Sequence, residues 1–247
     1  MAPVYVAFVD KEALGFHWKN FKQWDIRESW ITRIPFYKKL FSPLRILSPQ
    51  FFQSFDLSTY DVVISSSNAY FAKAVRVSPP AKHICYCHTP ARSLYGYSTR
   101  TDWKKKPVIH FFGTLINHYL RVVDVKVSQK VDFFIANSLE VQRRIQKFYH
   151  RDATVIFPPV NIPAQVNHKK REYFLYVNRL GFTKHPEIAV EACTRLNIPL
   201  KVVGTGNIET YLHEIAGKTI QFYGSVSDEK LSELYDGAKA LIYPVED

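Results

Sequence analysis

The chain has 247 residues, 47% hydrophobic and 15% aromatic, ample for one large domain or two small ones and too apolar for a disordered tail. No uncharged apolar run is long enough to span a bilayer and no signal-like segment opens the chain, so the expectation is a cytoplasmic protein. The formal charge of +11 is uneven: residues 1–170 hold 25 Lys+Arg against 11 Asp+Glu, or +14, whereas the rest holds 8 against 11, or −3. The cations are scattered and no recognition-helix or RNA-binding signature accompanies them, which argues against nucleic acid as the partner and for an anionic surface or acceptor. Cys85 and Cys87, two apart on a predicted strand, face the same way and read as buried free thiols. Neither a Cys-x-x-Cys nor a paired His cluster is present, so no metal site is expected.

In chain order, Val4 to Asp10 reads as a strand, followed to about Gln53 by an aromatic, basic stretch broken by Pro35, Pro43 and Pro49. Tyr60 to Ser67 is a strand ending in small polar residues, and His83 to His88 is another, closed by Thr89-Pro90. Val108 to Val127 has apolar residues at three- and four-residue spacing (Phe111, Phe112, Leu115, Ile116, Tyr119, Val122, Val123) and reads as a core helix. Lys104-Lys105-Lys106 stands before it, where the helix dipole disfavours cations. That run reads as a solvated face or as a contact with anionic lipid headgroups, worth about 1 kcal/mol per Lys near a charged surface. Phe133 to Ala136 is a strand, and Ser138 is a suitable N-cap for a helix over Leu139 to Tyr149. A polar stretch without periodicity places a boundary near residues 160–171. Beyond it, strands at 173–177, 200–204, 219–223 and 240–243 alternate with helices at 186–196, 208–216 and 228–237, which predicts a parallel sheet with helices on both faces.

Chemistry concentrates in Tyr173 to Lys184, YFLYVNRLGFTK. An apolar strand ends in Asn178-Arg179, Gly181 follows, Lys184 adds a second cation, and Pro186 opens a helix. Two cations between the carboxyl end of a strand and the amino end of a helix suit a phosphorylated ligand. A solvated loop charge is the plain alternative for either residue alone.

FFIANS (133–138), VIFPPV (155–160), VNRLGFTK (177–184), VVGTG (202–206) and FYGSVS (222–227) occur in an order that resembles the retaining glycosyltransferases of family 4. These are a GT-B group that includes many bacterial mannosyltransferases of surface-polysaccharide synthesis. The resemblance runs from about Tyr60 to the C-terminus. It implies an α/β fold of two Rossmann-like domains facing a cleft: an acceptor-side domain over 1–165 and a nucleotide-sugar donor domain over 166–247. Arg179 and Lys184 match the family's pair on the donor diphosphate. Gly204, Thr205 and Gly206 match its glycine turn under the nucleotide, and Tyr223 and Gly224 lie where relatives place the base. His88 matches the family histidine near the transferred sugar and acceptor, and is the implied catalytic residue. Arg92, Tyr95 and Asn137 fall on the acceptor side, with His83, His110 and His118 structural. The implied reaction moves a hexose, mannose from GDP-mannose being the expectation, to a lipid-linked or polysaccharide acceptor, with retention and without a metal or other cofactor. The implied location is cytoplasmic, peripheral at the inner face of the membrane.

The departures from the pattern are as informative. Relatives open with a strand and glycine-rich loop that this chain lacks. They also continue past the segment resembling ALIYPVED into a motif of two glutamates holding sugar and ribose. Glu246 is either the first of these, in contact with sugar or ribose, or lies just before it; the second is absent in either case, so both domains are expected to be incomplete. Two other readings stay open: a non-catalytic nucleotide- or glycan-binding fragment, and a nucleotide-sugar epimerase of the same architecture.

Overall fold

The computed structural model describes residues 2–40, 43–69, 71–97, 107–160 and 171–244; Lys104 to Lys106 and Glu246 lie outside them. The chain divides into two compact units, Met1–Pro159 and Val160–Asp247. Both are α/β with parallel sheets.

In the first unit, β1 (Val4–Val6), α1 (Lys11–Leu14), β2 (Ile26–Glu28), α2 (Tyr37–Leu40) and α3 (Ser48–Gln53) precede the main sheet. β1 and β2 pair in parallel, and Ile31, Phe51 and Phe52 form a small core. The strand predicted to reach Asp10 stops at Val6. Asp10 instead caps α1, its carboxylate accepting from the Ala13 N–H at 3.3 Å.

The main sheet runs β3 (Val62–Ser67), β4 (Lys82–Cys87), β5 (Phe133–Ala136) and β6 (Ala153–Val155) in sequential, parallel order. α4 (Pro107–Ser128) joins β4 to β5, and α5 (Leu139–Tyr149) joins β5 to β6. Period-two alternation puts Ser65, Ser67, His83, Cys85, Cys87, Phe134 and Ala136 on one buried face. Val141, Ile145 and Tyr149 of α5 pack there. Val62, Ile64 and Phe133 point the other way and stay exposed. β1 and β3 border an apolar groove of about 490 Å³.

The predicted orientation of α4 is wrong. Its inward side carries Leu120, Val127 and Asp124, whereas Phe111, Phe112, Leu115, Ile116, Tyr119 and Val122 are exposed. Periodicity located the helix and its apolar stripe, but the buried position nearest the sheet went to a polar network instead. Asp124 is fully buried and ion-paired to the equally buried Lys73. Two tyrosine hydroxyls, from Tyr95 at 2.9 Å and Tyr149 at 2.8 Å, donate to its other oxygen.

The second unit alternates β7 (Tyr173–Val177), α6 (Pro186–Arg195), β8 (Leu200–Val203), α7 (Glu209–Ile215), β9 (Ile220–Gly224), α8 (Asp228–Asp236) and β10 (Ala238–Leu241). The sheet order is β10-β7-β8-β9. One face buries Tyr176, Leu200, Val202 and Ile220 with Val190, Cys193 and Leu212 from α6 and α7. The other buries Leu175, Val203 and Ala238 with Leu234 from α8. Because α8 carries the chain across to the far side of β7, the strand order reverses between β7 and β10. In open α/β sheets that reversal opens a ligand crevice at the carboxyl ends. The last strand begins two residues earlier than its apolar pattern predicts, since α8 ends at Gly237 and Ala238 pairs at once with Tyr173.

Candidate functional site

The carboxyl ends of β7 and β10 meet the predicted cations. β7 delivers Asn178 and Arg179, the single helical turn Phe182–Lys184 follows, and β10 leads into Ile242 and Tyr243. The Asn178 side-chain oxygen accepts from the Arg179 N–H at 2.8 Å, fixing the turn out of the strand. The Arg179 side chain is exposed and makes no side-chain hydrogen bond or ion pair among the described residues. The Lys184 ammonium lies 6.0 Å from the Tyr243 ring centroid, and its carbonyl accepts from the Tyr176 hydroxyl at 2.9 Å. Two cations are thus held on one short, well-anchored loop, with no ion pair to either among the described residues.

Next to this loop lies the turn after β8. Leu180 N–H donates to Thr205 O at 3.0 Å, and Gly204 N–H to Gly224 O at 2.8 Å, so the ends of β7, β8 and β9 are stitched together. A Cβ on Gly204 would sit 1.9 Å from the Asn178 carbonyl oxygen, and one on Gly206 would sit 1.9 Å from that of Leu180. Gly204 also has φ +129, a conformation that side-chain-bearing residues rarely adopt. Both glycines therefore permit a backbone crossing that holds the Arg179 loop in place. Thr205 contributes its carbonyl to that crossing. Gly224 has φ +63 with open space around it. The Tyr223 side chain packs with the core on the α8 side, beside Leu175 and Val203.

The amino end of α6 offers less to an anion than its sequence suggests. Glu187 stands in its first turn, and its Oε1 is 2.9 Å from His185 Nδ1. A carboxylate there already meets the positive end of the helix dipole. Positive charge at this strand end comes from the side chains of Arg179 and Lys184.

In the first unit, the carboxyl end of the sheet presents His88, exposed at the end of β4. Its backbone N–H donates to Ser67 O at 2.9 Å, its Nε2 is 2.8 Å from Ser66 Oγ, and its ring meets Tyr86 edge-on at 5.3 Å. The imidazole is thereby oriented through Nε2, with Nδ1 making no hydrogen bond among the described residues. Ser138 caps α5, accepting from the Val141 N–H at 3.2 Å, while its hydroxyl donates to Asn137 Oδ1 at 3.2 Å. Tyr95 points inward: its hydroxyl is committed to Asp124 and its ring stacks on Phe148 at 4.2 Å.

Arg92 lies with its guanidinium carbon 5.6 Å from the Tyr97 ring, and its buried Nε has no hydrogen-bond partner among the described residues. Arg144 approaches the same ring at 4.6 Å and pairs with Glu140 at 3.0 Å. Two guanidiniums on one aromatic ring, beside the loop after β4, form a cationic feature that sequence reading saw only in part. Arg144 comes from α5, more than fifty positions along the chain from Thr89, and only the fold brings them together. Ser66 was legible merely as one of three small polar residues ending a strand. His83 is structural as expected: buried, with Nε2 2.9 Å from Ser65 Oγ.

Residues 160–247 match the family model of glycosyl transferases group 1. No curated protein matches the chain. Among solved structures it is similar to the pneumococcal O-GlcNAc transferase GtfA, in complex with UDP and GlcNAc, at 17% identity and TM-score 0.45, over 79% of this chain and 39% of that one. It is also similar to S. aureus TarM, at 11% identity and TM-score 0.48, over 68% and 33%. A third likeness is to AviGT4, a glycosyltransferase of avilamycin A biosynthesis, at 16% and 0.43, over 78% and 47%. The chain spans less than half the length of each. Identities and scores this low say nothing about the site. What stands is that the second unit joins a doubly wound parallel sheet to the sequence pattern of glycosyl transferases group 1.

Proposed function

We propose that the protein belongs to a glycosyltransferase that moves a hexose from a nucleotide diphosphate sugar to a glycan or lipid-linked acceptor. The observation that carries this reading is the pair Arg179 and Lys184, without ion pairs among the described residues, on the loop at the β7/β10 strand reversal. The group 1 pattern over the same unit supports it. The acceptor oxygen attacks the anomeric carbon, and the bond from that carbon to the β-phosphate oxygen breaks. The two cations stabilise the charge that develops on the departing diphosphate, which takes up the acceptor proton on the same face of the sugar. That arrangement retains anomeric configuration and asks for no metal. Interactions that strengthen as the leaving oxygen becomes charged lower the barrier and do not merely tighten binding. His88, oriented by Ser66, is assigned to the sugar or acceptor hydroxyl, with Arg92 and Asn137 on the acceptor side. Mannose from GDP-mannose is the donor favoured by the sequence pattern.

Calorimetric titration with GDP and UDP tests this. One nucleotide should bind, and Arg179→Ala or Lys184→Ala should weaken it by roughly 10- to 100-fold, as expected for losing one charge-assisted hydrogen bond. Selectivity for UDP would overturn the GDP-mannose assignment while keeping the diphosphate site. Unchanged affinity in both variants, or no binding of either nucleotide by the parent chain, would overturn the site itself.

A further inference from the structure

α4 is about 33 Å long at 22 residues, and its outward side is apolar over most of that length. Phe111, Phe112, Leu115, Ile116, Tyr119 and Val122 are each between 38% and 61% exposed. Six large side chains at three- and four-residue spacing make one continuous stripe, which a soluble surface does not leave open without a use. The inward side is occupied by Leu120, Val127 and the buried Asp124–Lys73 pair, so the helix has no rotation that would hide the stripe.

Charge says what the stripe faces. Between residues 102 and 132 the sequence holds six cations, Lys104, Lys105, Lys106, Arg121, Lys126 and Lys130, and three acids, Asp102, Asp124 and Asp132, the last paired with Lys82. Asp124, the one acid within α4, is buried and neutralised by Lys73. Arg121 and Lys126 are exposed, with Lys126 one turn beyond Val122 on the same side. Among the described residues, the outer surface of α4 thus combines a row of aromatic and aliphatic side chains with the cations Arg121 and Lys126 and no exposed carboxylate of its own. A protein partner of ordinary composition would not need that one-sided charge; an anionic bilayer supplies its complement over the whole length.

We propose that α4 is a membrane-docking helix, lying in the plane of an anionic phospholipid surface. Phe111, Phe112, Leu115, Ile116, Tyr119 and Val122 enter the boundary between headgroups and acyl chains, and Arg121 and Lys126 meet the lipid phosphates. This is the geometry of an interfacial amphipathic helix. No helix among the described residues is long and apolar enough to cross a membrane, so α4 lies on the surface. The surface does not depend on the nucleotide reading, and either can fail alone.

Flotation with phosphatidylcholine vesicles, with and without phosphatidylglycerol, tests the proposal on the whole chain. The protein should float with the anionic vesicles and remain largely below with neutral ones. Phe112→Gln/Leu115→Gln should weaken partitioning roughly tenfold, since each exposed side chain loses its burial in lipid. Both side chains are exposed, so the urea midpoint should not move. As a second reading, Tyr119→Trp should shift its fluorescence to the blue on adding anionic vesicles. The proposal is overturned if the protein ignores anionic vesicles, if Phe112→Gln/Leu115→Gln floats like the parent, or if the stripe instead drives self-association that the double variant abolishes.

Discussion

The two four-stranded sheets share a βα repeat but are finished differently. The sheet of the second unit carries helices on both faces and buries apolar layers on each, Leu200 and Val202 on one side and Leu175 and Val203 on the other. The main sheet of the first unit is covered on one face only among the described residues, leaving Val62, Ile64 and Phe133 exposed. Beneath its covered face lies a set of polar groups: Ser65 with His83, and Lys73 with Asp124, Tyr95 and Tyr149. The second unit is therefore held by apolar packing and close backbone crossings. The first depends on satisfied buried polar groups, where the loss of one partner strands the others.

The largest effect that would break this contrast concerns Lys73. Lys73→Met leaves Asp124 buried with its charge uncompensated, which should cost about 3–5 kcal/mol in urea unfolding of the first unit. Lys73→Met combined with Asp124→Leu should recover part of that loss, because no charge is then stranded. Equal or greater destabilisation in the double variant would show that the ion pair itself, and not the stranding of one partner, carries the stability.

How much of this was visible beforehand depends on whether the cause was local. Tyr173 to Val177 was legible as a doubly buried strand because all five residues are apolar, and Ser138 was legible as a cap from the helix that follows it. The Lys73–Asp124 pair was not: its members lie 51 positions apart, and each alone reads as a surface charge. The outward stripe of α4 was misread for the same reason, since periodicity reports an apolar side without naming what covers it. Arg179 and Lys184 were found from the strand-loop-helix pattern. The need for Gly204 and Gly206 became physical only when the carbonyls of Asn178 and Leu180 appeared where their Cβ atoms would stand.

A smaller effect sharpens the same contrast through acid. Burial of His83 pushes its pKa down from 6.5 to about 4, outweighing Asp132, which raises it, while Lys73 lowers it further. Between those two values the unfolded chain binds a proton that the folded chain does not, so stability falls as the pH drops from about 6.5 towards 4. The slope from this group approaches about 1.4 kcal/mol per pH unit in mid-window. His83→Gln should flatten that part of the urea-midpoint profile. An unaltered profile would mean that His83 accepts its proton in the folded state.

The second unit's site is tested most directly by following one base through its phosphates. Calorimetric titration of the whole chain with nucleoside, monophosphate and diphosphate, in the guanosine and uridine series, isolates what Arg179 and Lys184 contribute. The account predicts that one series binds, that the diphosphate binds at least roughly tenfold tighter than the monophosphate, and that this step vanishes when both cations are replaced by alanine. Equal affinity along the series, or a step that survives the double replacement, would contradict a diphosphate clamp at the carboxyl end of β7.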